Sequence, residues 1–159
     1  FQSLVMELLR QCTDLIAAHF RQESPAFRYA ALCLIEFEAV AMNQLVRETY
    51  YEGYTTPLTF EKITDNLADM TGRIFGDSLG LSKEDIFLRS LLIKGAMRGY
   101  IVQFDFSQPM DSQKYAALVL DTALQLLGIS AAESHDVLAQ LEQRLPEIEA
   151  IADEMIHRR

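Results

Sequence analysis

The sequence predicts an all-α fold, a single domain of about six helices, and three observations support this prediction. Apolar residues recur every three or four positions along most of the chain. No stretch shows the strict apolar–polar alternation of a strand. The 159 residues include only seven glycines and four prolines, which fall mostly between the periodic segments. Half of the residues are apolar and 23% are charged, which is typical of a globular chain with one core.

The first three helices follow from apolar spacing and from the residues that begin them. The first is predicted over residues 2–20. Ser24 and Pro25 suit the N-cap and first position of a second helix, which we expect to run to about Tyr51. After a break at Thr55-Thr56-Pro57, a third helix is predicted to end near Phe75.

The second predicted helix is apolar nearly all round, which indicates that other helices enclose it. Polar residues nevertheless recur every seven positions, which places them in one stripe along this helix. They are Tyr29, Glu36, Asn43 and Tyr50. Two explanations remain open from the sequence. The stripe faces solvent, or it lines an internal cavity in which a few polar groups orient a small molecule.

Two further helices are predicted between Ser82 and Gly128. Ser82 suits an N-cap, and the helix that follows ends before Pro109, because proline disfavours helical geometry in the residue before it. Asp111 is the predicted cap of the next helix. Gly128 suits the position just beyond the end of that helix, where a left-handed conformation is common.

These two helices each carry more apolar surface than a single packing face needs. In the first, Gly95 and Gly99 are four residues apart and share a face, and each costs about 1 kcal/mol relative to alanine inside a helix. A helix with two apolar faces has two partners. From spacing alone, the second partner is either a second copy of the chain or simply another helix of one enclosing bundle.

A last helical segment begins at Ser130, where Ser130 and Glu133 form a capping box. Its apolar residues continue at helical spacing to Met155. Pro146 lies inside this pattern, and proline in a helix interior removes a hydrogen bond. We therefore expect a kink or a restart near Leu145.

Charge and composition exclude several classes of partner. The net charge of −9 repels phosphate backbones and anionic lipid, so this chain by itself is not expected to bind DNA or a membrane. Cys12 and Cys33 lie in apolar helical patterns, as expected of core thiols in a reducing cytoplasm. The chain starts within a helical pattern, without a signal peptide or an apolar run of about 20 residues. We expect the natural chain to begin further upstream.

Motifs for catalysis and metal binding are absent from the sequence. There is no glycine-rich phosphate loop, no paired Cys-x-x-Cys and no nucleophile elbow. The three histidines, His19, His135 and His157, are far apart in the chain. Only Glu154-Met155-Ile156-His157 fits half of a di-iron carboxylate pattern. The sequence therefore predicts no enzyme, no cofactor and no metal.

Three passages carry a resemblance to a known family. They are residues 50–57 before the third predicted helix, residues 91–101 with their small residues, and residues 115–128. The chain resembles the C-terminal effector-binding and dimerisation region of the TetR (tetracycline-repressor-like) transcriptional regulators, without the N-terminal helix-turn-helix. The resemblance covers residues 1–128 as the core, and residues 129–159 form an additional C-terminal helix packed on the same domain.

The resemblance implies a homodimer of a transcriptional repressor domain. The last two core helices of each protomer form a four-helix interface, and the central helices enclose a cavity for a small effector. DNA is contacted only through an upstream head, whose spacing the effector changes. The predicted effector-lining residues are Tyr29, Phe37, Asn43, Arg47, Tyr51, Met70, Ile74, Met97 and Ile101. The predicted dimer-interface residues are Gly95, Gly99, Tyr115, Leu118, Val119 and Thr122.

Two other functions stay open at this stage. The first is a ligand-free helical protein–protein interaction module, in which the apolar repeat of the last helix binds a partner in a groove. A core without a cavity of about 300 Å³ or more would favour this alternative. The second is a metal-binding bundle.

Overall fold

The protein is described by a computed structural model that covers residues 2–157, with side chains from Leu4 onwards. This part of the chain forms eight α-helices and one 3-10 turn at Gln103–Asp105, and it contains no strand. The all-α prediction is therefore confirmed. The helices are α1 (Gln2–His19), α2 (Pro25–Met42), α3 (Gln44–Thr55), α4 (Pro57–Phe75), α5 (Lys83–Val102), α6 (Ser112–Leu126), α7 (Ala131–Gln143) and α8 (Leu145–His157).

Four helices begin at the caps that the sequence predicts. The side chains of Ser24, Ser82, Asp111 and Ser130 each accept a hydrogen bond from the backbone N–H three residues later, at 3.0–3.2 Å. Each cap satisfies one of the N–H groups that a helix start leaves without an internal partner. Gly128 follows α6 with φ +80°, a conformation that glycine adopts without strain.

The second predicted helix is wrong in length, because it is divided into α2 and α3 at Asn43. The two helices are bent by 118° relative to each other. Asn43 is extended, with φ −139°, and its side-chain oxygen accepts a hydrogen bond from Val46 N at 2.9 Å. The Arg47 guanidinium donates to the carbonyls of Val40 and Ala41, at the end of α2. These local bonds replace the helical bonds that a continuous helix would make.

The last segment also contains two helices, so the estimate of six helices is too low. A new helix, α8, begins at Leu145, in agreement with the break expected at Pro146. Arg144, between the two helices, donates to Glu23 beside the start of α2 at 2.8 Å. The apolar residues Ile148, Ile151 and Met155 of α8 are buried. The C-terminal segment is therefore part of the same core.

The centre of the bundle is α2, which packs against α1, α3, α4, α6, α7 and α8. Helix α5 packs against α3, α4 and α6. In the described part of the chain no single helix is long and apolar enough to cross a membrane. Only α2 and α3 taken together reach that length and apolarity, across their 118° bend.

Candidate functional site

A charged pair lies in the interior between α2 and α5. Lys94 Nζ is 2.9 Å from Glu36 Oε2, and each of the two side chains is only 4% exposed. Lys94 also donates to the Tyr54 hydroxyl of α3 at 3.1 Å. We call Glu36, Tyr54 and Lys94 the buried polar centre. The Lys94 ammonium of α5 binds a carboxylate of α2 and a hydroxyl of α3, so the centre links these three helices.

The buried polar centre keeps its lysine charged. Burial by itself lowers the pKa of Lys94, but the Glu36 carboxylate and Tyr54 oppose this effect and raise the pKa well above its ordinary value. Burial raises the pKa of the Tyr54 hydroxyl, and the Lys94 charge only partly opposes that rise. The centre therefore holds an ammonium–carboxylate pair beside a neutral phenol. An ammonium has no lone pair, so Lys94 acts as a hydrogen-bond donor.

Two buried hydroxyls near this centre have unused hydrogen-bonding capacity. The hydroxyl of Tyr50 and that of Ser90 have no hydrogen-bond partner among the described residues. Tyr50 stacks on Tyr54, with ring centroids 5.9 Å apart, and burial followed by the charge of Glu36 raises its pKa. A buried hydroxyl without a partner costs about 1–3 kcal/mol. Such groups can bind a polar atom of a ligand.

The burial of Tyr29, Glu36 and Tyr50 shows that the solvent-facing explanation of the polar stripe is wrong. The stripe is interrupted at Asn43, which caps α3, so Tyr50 lies on a different helix from Tyr29 and Glu36. Neither Lys94 nor Tyr54 was identified from the sequence. Lys94 does share helical spacing with Ser90, Met97 and Ile101 on the buried side of α5, which is an unusual place for a lysine and was the available signal.

A cleft lies between α3 and the C-terminal end of α5, and we call it the α3–α5 cleft. Its volume is about 320 Å³. Three of the predicted effector-lining residues, Arg47, Tyr51 and Ile101, line it together with Glu48, Glu52, Phe104 and Asp105. The Arg47 guanidinium lies 4.2 Å from the centre of the Phe104 ring. The cleft thus has apolar and aromatic walls with charged groups at its rim.

The other six predicted effector-lining residues do not meet at this cleft. Tyr29, Phe37, Met70 and Met97 are buried in the core, Ile74 is half-buried and Asn43 caps α3. The Tyr29 ring packs against Phe75 at 5.8 Å, and the Phe37 ring packs edge-on against Tyr100 at 4.6 Å. Side chains predicted to share one cavity are therefore distributed over the α3–α5 cleft and several parts of the packed interior.

The predicted dimer-interface residues divide into two groups. Tyr115 donates from its hydroxyl to the Ala96 carbonyl at 2.7 Å, and a methyl group added at Gly99 would lie 2.7 Å from that hydroxyl. Gly99 and Tyr115 thus contact each other within the chain, and Val119 is buried. The remaining three, Gly95, Leu118 and Thr122, are exposed.

Two of these residues, Gly95 and Leu118, belong to the exposed apolar surface of α5 and α6, together with leucines that are not among the predicted interface residues. Leu88, Leu91, Leu92 and Gly95 follow the spacing of one helix face on α5, and Leu92 is 61% exposed. On α6, Leu118 is 58% exposed. The Tyr115–Ala96 bond and a bond from Arg89 to the Leu126 carbonyl set α5 and α6 antiparallel. We call Leu88, Leu91, Leu92, Gly95 and Leu118 the α5–α6 face.

Metal ligation and thiol chemistry have no site among the described residues. Within residues 2–157 no group of three or more His, Cys, Asp or Glu side chains could hold a metal ion. The Nδ1 atom of His157 is 2.9 Å from the Asp153 carbonyl. Burial raises the pKa of Cys33 to about 12 and raises that of Cys12 well above its ordinary value. Both thiols are therefore protonated and unreactive in the folded chain.

Comparison with known proteins gives no relative on which to base a function: no family model, no curated protein and no solved structure matches this chain.

Proposed function

We propose that this chain is the dimeric, effector-binding domain of a transcriptional regulator similar to the TetR family. The observation that carries the proposal is the α5–α6 face, because the resemblance assigns dimerisation to this same helix pair. The DNA-binding head would lie upstream, and this chain would contact DNA only through it. The net charge of −9 supports that division, since an acidic surface repels phosphate groups.

The α5–α6 face has the composition expected of an interface between copies. Four leucines, each 39–61% exposed, stand on two adjacent helices. Burying a leucine completely contributes about 1.5–3 kcal/mol, so covering this face would stabilise the protein substantially. Apart from adjacent residues and backbone of α5 itself, no atom of the described residues lies within 4 Å of a methyl group placed on Gly95, so a second backbone has room to approach there. Two copies of this helix pair, related by a two-fold axis, would form a four-helix bundle.

The α3–α5 cleft is the proposed effector site. Its volume of about 320 Å³ is at the lower end of the range of about 300–1,000 Å³ found for small-molecule sites. Tyr51 and Phe104 offer aromatic surface, and Ile101 forms the apolar floor. Arg47 and the carboxylates at the rim supply polar contacts. A small organic molecule with an apolar or aromatic body fits this lining.

Helices α3 and α5 connect the cleft to the α5–α6 face through the buried polar centre. On α3, Tyr51 lines the cleft and Tyr54 binds Lys94. On α5, Lys94 is buried, and Leu92 stands exposed on the other side of the helix. A shift of α3 would change the position of Lys94 and so of α5. An effector that prefers one arrangement shifts the equilibrium by its differential affinity for the two states.

We expect the chain to sediment as a dimer and the Leu92→Glu variant to sediment as a monomer, because a buried unpaired carboxylate is costly. Analytical ultracentrifugation over a range of concentrations measures this directly. Leu58→Glu is the matched control, since Leu58 is 72% exposed on α4 and should leave the dimer intact. A wild-type chain that stays monomeric at high concentration contradicts the proposed interface.

Effector binding is tested by thermal shift against a library of small organic molecules. A molecule that binds the folded state raises Tm in a concentration-dependent way. We expect Tyr51→Ala to abolish the shift and Tyr51→Phe to retain most of it, because the aromatic ring supplies most of the contact area. A shift that is unaffected by Tyr51→Ala would place the ligand elsewhere.

The ligand-free interaction module remains the second candidate, and one observation favours it. Five clefts of about 300–470 Å³ all open at the surface, and none of them is lined by Glu36, Tyr54 or Lys94. None of these five clefts is an enclosed effector cavity inside the bundle. A library screen without any binder, together with a wild-type monomer, would favour this candidate.

A further inference from the structure

A second cleft, separate from the α3–α5 cleft, lies where α6 and α7 cross α2. We call it the α2–α6–α7 groove. Its volume is about 430 Å³, and most of its wall is aliphatic. The apolar part includes Leu34, Ala116, Leu120, Leu138, Leu141 and Leu145. Open surface of this kind is unfavourable in water, so an apolar group that covers it gains free energy.

One carboxylate in this groove has no cation beside it. Glu38 of α2 is half-buried and lines the groove. No hydrogen bond or ion pair joins it to any other residue between 4 and 157. Burial raises its pKa, and the negative charge of Glu149 on α8 raises it further. A half-buried charge without a partner destabilises the protein, and a cation placed beside it would remove that cost.

The other charged groups of the groove strengthen this preference for a cation. Glu142 also lines it, and His135 is the single basic side chain in the lining. No lysine or arginine takes part. The groove thus combines an aliphatic wall with uncompensated negative charge. An anion would be repelled, and a neutral apolar molecule would desolvate Glu38 without replacing its contacts with water.

We propose that the α2–α6–α7 groove binds a small cationic amphiphile, an alkyl amine with its ammonium head at Glu38 and its chain along Leu120, Leu138 and Leu141. The ammonium donates hydrogen bonds to the carboxylate, and the chain covers the aliphatic wall. Glu38 is the half-buried carboxylate of the lining and Glu142 is the exposed one, so the single positive charge is placed at Glu38. The proposal does not depend on the α3–α5 cleft or on dimerisation, because it uses residues of neither site.

The test is calorimetric titration of the full chain with three probes of equal length: octylammonium, 1-octanol and octanoate. We expect octylammonium to bind most tightly, 1-octanol about tenfold more weakly and octanoate not at all. Glu38→Gln should reduce the affinity for octylammonium about tenfold and leave that for 1-octanol unchanged. The matched control is Glu61→Gln, which removes an exposed carboxylate on α4 and should change neither affinity.

Two results would overturn the proposal. One is equal affinity for octylammonium and 1-octanol, which would show that only the aliphatic wall attracts the probe. The other is octylammonium binding that Glu38→Gln leaves unchanged, which would place the cation at another carboxylate. Leu138→Ser provides an independent test, since it shortens the aliphatic wall and should weaken both probes. Circular dichroism of each variant verifies that it remains folded.

Discussion

Replacing Lys94 with methionine is expected to destabilise the fold by about 3–5 kcal/mol, because it leaves the Glu36 carboxylate buried without a cation. The Tyr54 hydroxyl would lose its donor in the same step. Methionine matches the length and volume of the lysine side chain, so the change tests charge more than packing. Denaturant unfolding followed by circular dichroism measures the loss of free energy.

The double variant Glu36→Leu/Lys94→Met is the necessary control. Replacing both members of a buried pair with apolar residues is often neutral or stabilising, so the double variant should recover most of the stability that Lys94→Met loses. Arg10→Met provides a surface comparison, because Arg10 pairs with Asp14 in an exposed position. It should hardly change the unfolding free energy. If the double variant is as unstable as Lys94→Met, packing is the cause and not the unpaired charge.

How much of the fold can be predicted from the sequence depends on how far apart in the sequence the interacting residues lie. Ser24, Ser82, Asp111 and Ser130 cap helices through atoms three residues away, so their sequence context contains the whole interaction. Asn43 is a good cap by the same rule. The apolar periodicity on both sides nevertheless favours one continuous helix. The resulting error combined α2 and α3 into a single element.

Prediction of the candidate site depends on sequence separation in the same way. Arg47 and Tyr51 are four residues apart on α3, and helical spacing alone brings them to one cleft. Glu36 and Lys94 are 58 residues apart, and one sequence cannot show that they meet. Helical spacing places Lys94 on the buried side of α5, which predicts that it has a partner but not which one. The buried polar centre is therefore a property of the tertiary structure.

Gly95 and Gly99 appear equivalent in the sequence, but their surroundings differ in the structure. They are one helical turn apart, so spacing assigns both to the same face. Tyr115 lies directly over Gly99, and a methyl group there would be 2.7 Å from its hydroxyl. At Gly95, the described residues beyond the adjacent part of α5 place no atom within 4 Å of the same position. The close approach at Gly99 is therefore internal, and only Gly95 is free to meet a second molecule.

This difference leads to opposite expectations for the two leucine variants. Gly99→Leu should destabilise the protomer by about 1–3 kcal/mol, because it overpacks the contact with Tyr115. The hydrogen bond from Tyr115 to the Ala96 carbonyl would be lost with it. Gly95→Leu should leave the protomer as stable as before or slightly more stable, since leucine favours a helix interior by up to about 1 kcal/mol relative to glycine. Denaturant unfolding at a concentration where the chain is monomeric measures both effects.

The effect of the Gly95→Leu variant on dimerisation identifies the interface. If a second α5 packs against Gly95, the leucine side chain blocks that approach and raises the dimer dissociation constant at least about tenfold, which corresponds to about 1.4 kcal/mol. Sedimentation equilibrium measures the change, with Gly95→Ala as the smaller step of the series. A Gly95→Leu protein that gains stability and dimerises like the wild type would show that the α5–α6 face is covered by something other than a second copy of the chain.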